Sequence, residues 1–132
     1  MKITILTLFP EMFDSFLNYS IIARAIAKGV VEIKAVQIRD YTLDKYRRTD
    51  TPPIGGGAGL IEKAQPIVAA LKAVRTPDSH AVLFSARGPA YNEKKAREFA
   101  QLDHLILVCG HYEGVDERVN SYVDELLSVG DY

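Results

Sequence analysis

Short apolar runs alternate with amphipathic stretches along this chain, and that alternation restricts the fold more than any other feature. Apolar runs such as residues 3–8, 80–84 and 104–108 are typical of buried strands. The pattern predicts further strands at 30–38 and 123–129, and helices at 12–17, 21–26, 66–74, 92–100 and around Val115, Val119 and Tyr122. Alternating strands and helices favour an α/β fold in which helices flank a parallel sheet.

Length and composition limit the class of protein. A chain of 132 residues with 48% hydrophobic and 25% charged residues forms one globular domain. Its net charge of -1 excludes a uniformly basic surface for binding nucleic acid, so any RNA contact requires a local basic patch. A single cysteine, Cys109, permits no internal disulfide and fits a reducing compartment. Because the N-terminal apolar run is too short for a secretory signal and no stretch approaches membrane-spanning length, we expect a cytoplasmic protein without membrane contact.

Residues 39–60 lack periodicity and are predicted to form a long loop. They contain two prolines and four glycines, which are Gly55, Gly56, Gly57 and Gly59. Loops of this length inside a compact domain are usually functional or disordered. Before the glycines stand Lys45, Arg47 and Arg48, which fit either phosphate contacts or a solvated loop edge.

Three turns follow predicted strands, at residues 85–88, 109–114 and 129–132. In open parallel sheets, ligands bind beyond the carboxyl ends of the strands. Glycines in these turns would let the main chain approach a ligand, while Tyr112 offers an aromatic ring and Glu113 a hydrogen-bond acceptor. Each turn taken alone fits an ordinary strand-to-helix connection. The three together favour a binding site, although their spacing does not identify the ligand.

Two common nucleotide-binding motifs are absent from the sequence. A dinucleotide fingerprint requires G-x-G-x-x-G after the first strand, where Phe9-Pro10-Glu11-Met12 stands instead. A phosphate-binding P-loop is excluded because no G-x-x-x-x-G-K-[ST] occurs.

Two motifs together carry a family resemblance. They are Gly55-Gly56-Gly57-Ala58-Gly59 and the string from Cys109 to Arg118, CGHYEGVDER. With TLFPEMF at 7–13, IRDYT at 38–42, KYRRTD at 45–50 and SVGDY at 128–132, the chain resembles the N-terminal domain of bacterial tRNA (guanine-N1)-methyltransferases, of the knotted SPOUT class.

The resemblance implies a SPOUT-type, trefoil-knot methyltransferase domain over residues 1–132 that binds S-adenosylmethionine. The enzymes of this family transfer a methyl group to N1 of the guanosine on the 3′ side of the tRNA anticodon. By matching positions, the cofactor is expected to contact residues in all three turns: Phe84, Ser85, Gly110, Tyr112, Glu113, Val129, Gly130, Asp131 and Tyr132.

The resemblance also implies a substrate segment and partners. The target guanine is expected to face Asp50, Gly55, Gly56, Gly57 and Gly59. Family members are homodimers in which the base enters between subunits. Magnesium supports catalysis in the family, but no metal ligand set is evident in this sequence.

The chain departs from the family pattern in two respects. Ile54 stands where the family often has a tyrosine, and Thr51 where an acid is common. The resemblance also places the general base, the completion of the knot and a helical tRNA-binding domain after the Gly-Asp-Tyr motif that ends at Tyr132. We therefore expect a domain truncated before the knot is complete, with no catalytic residue of its own.

Several side chains of reactive types are expected to have structural and not catalytic roles. Cys109 ends an apolar strand and is interpreted as structural, because unbonded cysteines are usually buried. His80 and His104 are expected at strand starts, and His111 is expected to shape the cofactor turn. The alternative to an enzyme is a non-catalytic RNA- or nucleotide-binding module, whose glycine loops would serve recognition only.

We predict that these 132 residues alone do not methylate RNA, because the resemblance assigns them no general base. Methyl transfer to intact tRNA is the measurement. Robust turnover would contradict the prediction.

Overall fold

Parallel strands form the main sheet of the computed structural model, which describes residues 1–51, 60–110 and 114–129. The strands are β1 Lys2–Thr7, β2 Glu32–Gln37, β3 Asp50–Thr51, β4 Ile61–Glu62, β5 Ser79–Phe84, β6 His104–Val108 and β7 Glu125–Leu127. Five of them lie in the order β2-β1-β6-β5-β7. Every neighbouring pair in that sheet is parallel, which confirms the predicted α/β fold.

Apolar side chains cover both faces of this sheet. On one face, Leu6 and Ile106 pack with Ile67 and Leu71 of the helix α3, Ala64–Val74. On the other face, Val82, Leu105 and Leu127 pack with Phe99 of α4, Glu93–Ala100. Neighbouring residues such as Ala81 and Val82 belong to opposite faces, as the two-residue period of a strand requires.

Local signals explain where several helices begin and end. The Asn92 side chain accepts a hydrogen bond from the Lys95 amide at 2.8 Å and caps α4. Pro66 lies in the first turn of α3, where its missing amide hydrogen is not needed. The N-terminal helices are α1, Asp14–Leu17, and α2, Ser20–Ala27. The chain leaves α2 at Gly29, whose φ of +74° favours glycine.

Two predicted elements differ from the structure. Residues 39–60 are not wholly loop, because a 3-10 turn covers Ile38–Tyr41 and β3 pairs with β4 in an antiparallel hairpin. The predicted last helix is a 3-10 turn, Glu117–Tyr122, in which Val119 is buried and Tyr122 is exposed. Apolar residues three and four apart suit either helix type, so periodicity could not separate them.

No helix within 1–51, 60–110 or 114–129 is long and apolar enough to cross a membrane.

Strand β7 is held at the sheet edge by Asp124. Its carboxylate accepts hydrogen bonds from the Ala81 amide at 2.7 Å and from Arg75 at 3.0 Å. Partial burial acts to raise the pKa of Asp124, but these two donors outweigh it and lower the pKa below the ordinary 3.8.

We predict that Asp124→Ala destabilises the fold by about 1–2 kcal/mol at pH 7. Because the folded-state pKa is lowered, this contribution is fully present above the ordinary pKa of 3.8 and is lost as the pH falls through the lowered pKa. The difference in melting temperature between the wild type and the variant should therefore be smaller at pH 3 than at pH 7. Asp103→Ala, at an exposed position, is the control. A difference as large at pH 3 as at pH 7 would contradict the prediction.

Candidate functional site

The carboxyl ends of β6, β5 and β7 lie side by side, because these strands are parallel neighbours. The Ser85 amide donates to the Leu127 carbonyl at 2.9 Å and joins the ends of β5 and β7. The Cys109 amide donates to the Leu6 carbonyl at 2.9 Å and joins β6 to β1. The three predicted turns thus start from one edge of the sheet.

The described candidate cofactor residues differ in what they can offer a ligand. Phe84 is half-buried and packs on the cluster around Phe99. The Ser85 hydroxyl accepts from the Arg87 amide at 3.2 Å, so it is engaged within its own turn. Gly110 and Val129 are exposed at the beginnings of their turns.

Other predicted site residues lie outside the described residues. From the cofactor set these are Tyr112, Glu113, Gly130, Asp131 and Tyr132, and from the substrate set Gly55, Gly56, Gly57 and Gly59. His111 lies outside them as well.

Two glycines are required by contacts within the protein. A Cβ at Gly110 would lie 2.8 Å from Cγ2 of Val115, so the turn after β6 packs directly on that side chain. A Cβ at Gly88 would lie 2.5 Å from the Leu127 amide nitrogen, which only glycine accommodates without a backbone shift. Sequence analysis placed Gly88 in a turn without detecting this close approach, since the partner lies far along the chain.

Strand β4 is bonded to residues that follow β6. Strands β3 and β4 lie before and after residues 52–59 in the chain, with Asp50 opposite Glu62. The Glu62 amide donates to the Gly114 carbonyl, and the Asp116 amide donates to the Glu62 carbonyl, each at 2.9 Å. These hydrogen bonds join the hairpin to residues 114–116.

Glu62 is the residue at this junction that sequence analysis missed. It is 0% exposed. A glutamate before a helix is normally a surface residue, so its type gave no indication of burial. Long-range pairing with residues 114–116 encloses it.

Cys109 is half-buried directly after β6. Burial, together with the Glu62 carboxylate, raises the pKa of the Cys109 thiol to about 11. Such a thiol is neutral at physiological pH, which supports the structural interpretation of Cys109.

The described histidines lie at the amino edge of the sheet. His104 begins β6, is buried, and shares hydrogen bonds with the hydroxyls of Thr4 at 2.9 Å and Thr76 at 3.1 Å. Burial, helped by the charge of Lys2, lowers the pKa of His104. His80, in β5, pairs with Glu125. Both are strand-start residues, as predicted, and neither reaches the candidate site.

No group of three or more His, Cys, Asp or Glu that could hold a metal ion occurs within the described ranges.

A basic and aromatic surface precedes β3. The Arg48 guanidinium carbon lies 5.2 Å and the Lys45 ammonium 5.5 Å from the centre of the exposed Tyr46 ring. Arg47 pairs with Asp40 at 2.7 Å on the surface. Lys45 and Arg48 therefore lie shortly before β3 in the chain, and β3 precedes residues 52–59.

A crystal structure described as tRNA (m1G37) methyltransferase from Aquifex aeolicus superimposes with a TM-score of 0.90 at 31% identity, covering all of this chain and 61% of that one. With the parallel sheet, this match defines a SPOUT-type α/β fold. The family model described as tRNA (Guanine-1)-methyltransferase TrmD matches residues 1–132, and the chain belongs to that family.

Curated relatives are similar over the entire chain. Proteins named tRNA (guanine-N(1)-)-methyltransferase are 50% identical in Carboxydothermus hydrogenoformans, 49% in Clostridium botulinum and 46% in Ureaplasma urealyticum. The chain covers 53%, 55% and 58% of these relatives, and so spans about half of their length.

Proposed function

We propose that this chain is the S-adenosylmethionine-binding part of a tRNA methyltransferase that modifies N1 of the guanosine 3′ of the anticodon. The observation that carries the proposal is the junction at Glu62, where the hairpin flanking the glycine segment bonds to Gly114 and Asp116. These hydrogen bonds support the proposal, because they join β4, which follows the proposed guanine-facing segment, to the end of the proposed cofactor turn. Family membership supports the same reaction.

The proposed cofactor site uses the clustered strand ends. Main-chain groups at this edge would orient the adenosine, and Glu113 would accept hydrogen bonds from its ribose or amine. The proposed set is Phe84, Ser85, Gly110, Tyr112, Glu113, Val129, Gly130, Asp131 and Tyr132. S-adenosylmethionine, when bound, supplies an electrophilic methyl group on a sulfonium.

The role we assign to this chain is positioning. Guanine N1 must lose its proton, and its electron pair then forms the new N–CH3 bond as the S–CH3 bond breaks and leaves the pair on sulfur. In-line placement of the two reactants accounts for a large part of such rate enhancements. Asp50, Gly55, Gly56, Gly57 and Gly59 are proposed to hold the guanine, and no general base is assigned within the chain.

We also propose that catalysis by the enzyme requires magnesium, as the family resemblance implies. The described side chains offer no ligand group that fits the ion, and no step is derived through it.

Binding of the cofactor is tested by calorimetric titration of the chain with S-adenosylmethionine and S-adenosylhomocysteine. We expect both to bind, and Glu113→Ala to weaken both by about tenfold or more through loss of charge-assisted hydrogen bonds. Glu93→Ala, on the exposed start of α4, is the control and should bind normally. Gly110→Val is unsuitable, because it would collide with Val115. Binding of tRNA without either ligand would favour the non-catalytic module.

Contact with tRNA is proposed for the surface formed by Lys45, Tyr46 and Arg48. Paired alanine substitutions at Lys45 and Arg48 should weaken tRNA binding and lower the slope of log K against log salt by about one per lost phosphate contact. Lys94→Ala, an exposed lysine on α4, is the control. An unchanged slope would contradict this contact. A tRNA partner supports a cytoplasmic location.

Self-association as a homodimer, with the target base entering between subunits, completes the proposal. Four apolar side chains near α1 and α2 are each more than half exposed: Met12, Phe16, Tyr19 and Ile21. An apolar surface of this kind fits a second copy of the chain.

Sedimentation velocity should detect a dimer that Ile21→Lys converts to monomer, since a buried lysine would oppose association. Leu43→Lys, at a still more exposed apolar position in another segment, should leave the dimer intact. A wild-type monomer, or a dimer unaffected by Ile21→Lys, would contradict association through this face.

A further inference from the structure

The turn at residues 42–48 is shaped by the side chains of Asp44 and Thr42. The Asp44 carboxylate accepts hydrogen bonds from the amides of Tyr46 at 2.9 Å and Arg48 at 2.8 Å. The Thr42 hydroxyl accepts from the Asp44 amide at 3.1 Å and donates to the Arg48 carbonyl at 3.2 Å. Both ends of the turn are therefore closed by hydrogen bonds within it.

Side chains from outside the turn attach it to the rest of the domain. Gln65, on α3, accepts from the Leu43 amide at 3.0 Å and donates to the Tyr41 carbonyl at 2.9 Å. Arg39 donates to the Arg47 carbonyl at 2.8 Å. Arg47 has a φ of +56°, a left-handed conformation that is unfavourable for a residue other than glycine and persists only where surrounding contacts hold it. Strained backbone of this kind is concentrated at sites that bind ligands.

The turn presents an aromatic ring together with two cations. Tyr46 is 69% exposed, with the Arg48 guanidinium carbon 5.2 Å and the Lys45 ammonium 5.5 Å from the centre of its ring. The Asp44 carboxylate also orients Arg48, whose Nε lies 3.5 Å from Oδ2. The cations therefore leave most of the Tyr46 surface accessible to a ligand.

An accessible ring beside two cations has the chemistry that binds a single nucleotide. A base can lie flat on the ring while cations contact its phosphate. Bases inside an RNA duplex are covered by their neighbours, so only an unpaired base can stack on a side chain in this way. A tyrosine ring on a turn that is already ordered loses little conformational entropy when it binds.

We propose that Tyr46 is a stacking platform for one unpaired nucleotide of the RNA substrate, with Lys45 and Arg48 contacting its phosphate. The inference rests on the proposed function, since it takes tRNA as the partner, and it adds how the RNA is recognised. Phosphate contacts alone would accept a duplex, whereas stacking on Tyr46 makes this surface select single-stranded RNA.

Fluorescence gives a direct test, because the sequence contains no tryptophan and Tyr46→Trp introduces a single indole at the proposed contact. Titration with an RNA stem–loop of the anticodon arm should quench its emission as a base stacks on it. Tyr122→Trp is the matched control, since Tyr122 is also exposed and has the Lys72 ammonium 5.7 Å from its ring centre. Emission from this control should not change. Bound RNA that leaves the indole at position 46 unquenched would overturn the proposal.

Affinity provides a second measurement on the same stem–loop. Tyr46→Phe keeps the ring and should bind normally, whereas Tyr46→Leu removes it and should weaken binding by about fivefold or more. The slope of log K against log salt should stay the same in both variants, because neither removes a phosphate contact. The same RNA annealed to its full complement should bind the wild type more weakly and be unaffected by Tyr46→Leu. An equal loss of affinity for both RNAs indicates a structural role and overturns the proposal.

The outcomes separate stacking on Tyr46 from the proposed function. A wild-type chain that binds neither S-adenosylmethionine nor tRNA contradicts both. A chain that binds both, with no quenching at position 46 and normal affinity in Tyr46→Leu, overturns only the role of Tyr46. Binding of S-adenosylmethionine without any RNA overturns stacking and tRNA contact, and leaves the cofactor site in place.

Discussion

Parallel pairing of β5 with β6 on one side and β7 on the other is the constraint on which the candidate site depends. Strands that run in one direction end at one edge, so the turns that follow them start from the same edge of the sheet. The Ser85–Leu127 hydrogen bond and the close approach of Gly88 to Leu127 hold the short edge strand in this register. The Ala81 amide donates a hydrogen bond to the Asp124 carboxylate, which holds the start of β7 against β5.

The β3–β4 hairpin connects this edge to the glycine segment. The main chain of Glu62 bonds to both Gly114 and Asp116, so the hairpin is joined to the residues at the end of the turn after β6. In the proposed function, the segment within the hairpin holds the base and that turn holds the methyl donor. Methyl transfer depends on such relative placement more than on any single side chain.

Much of the main sheet was predictable from local pattern. The apolar run 104–108 matches β6, and the predicted helix 92–100 matches α4, since both patterns act within a few residues. The β3–β4 hairpin was not predicted, because two-residue strands have no detectable alternation. The 3-10 turn at Glu117–Tyr122 was mistaken for a longer helix, since its apolar spacing fits both.

By itself, the sequence determined the α/β class, the positions of the long strands and the motifs that carry the family resemblance, because these depend on neighbouring residues. Only the tertiary structure decided that Glu62 is buried and that Gly110 packs on Val115. The segments that enclose Glu62 lie some fifty residues further along the chain, near Gly114 and Asp116. Burial and charge at such a place arise from long-range packing, which local pattern does not encode.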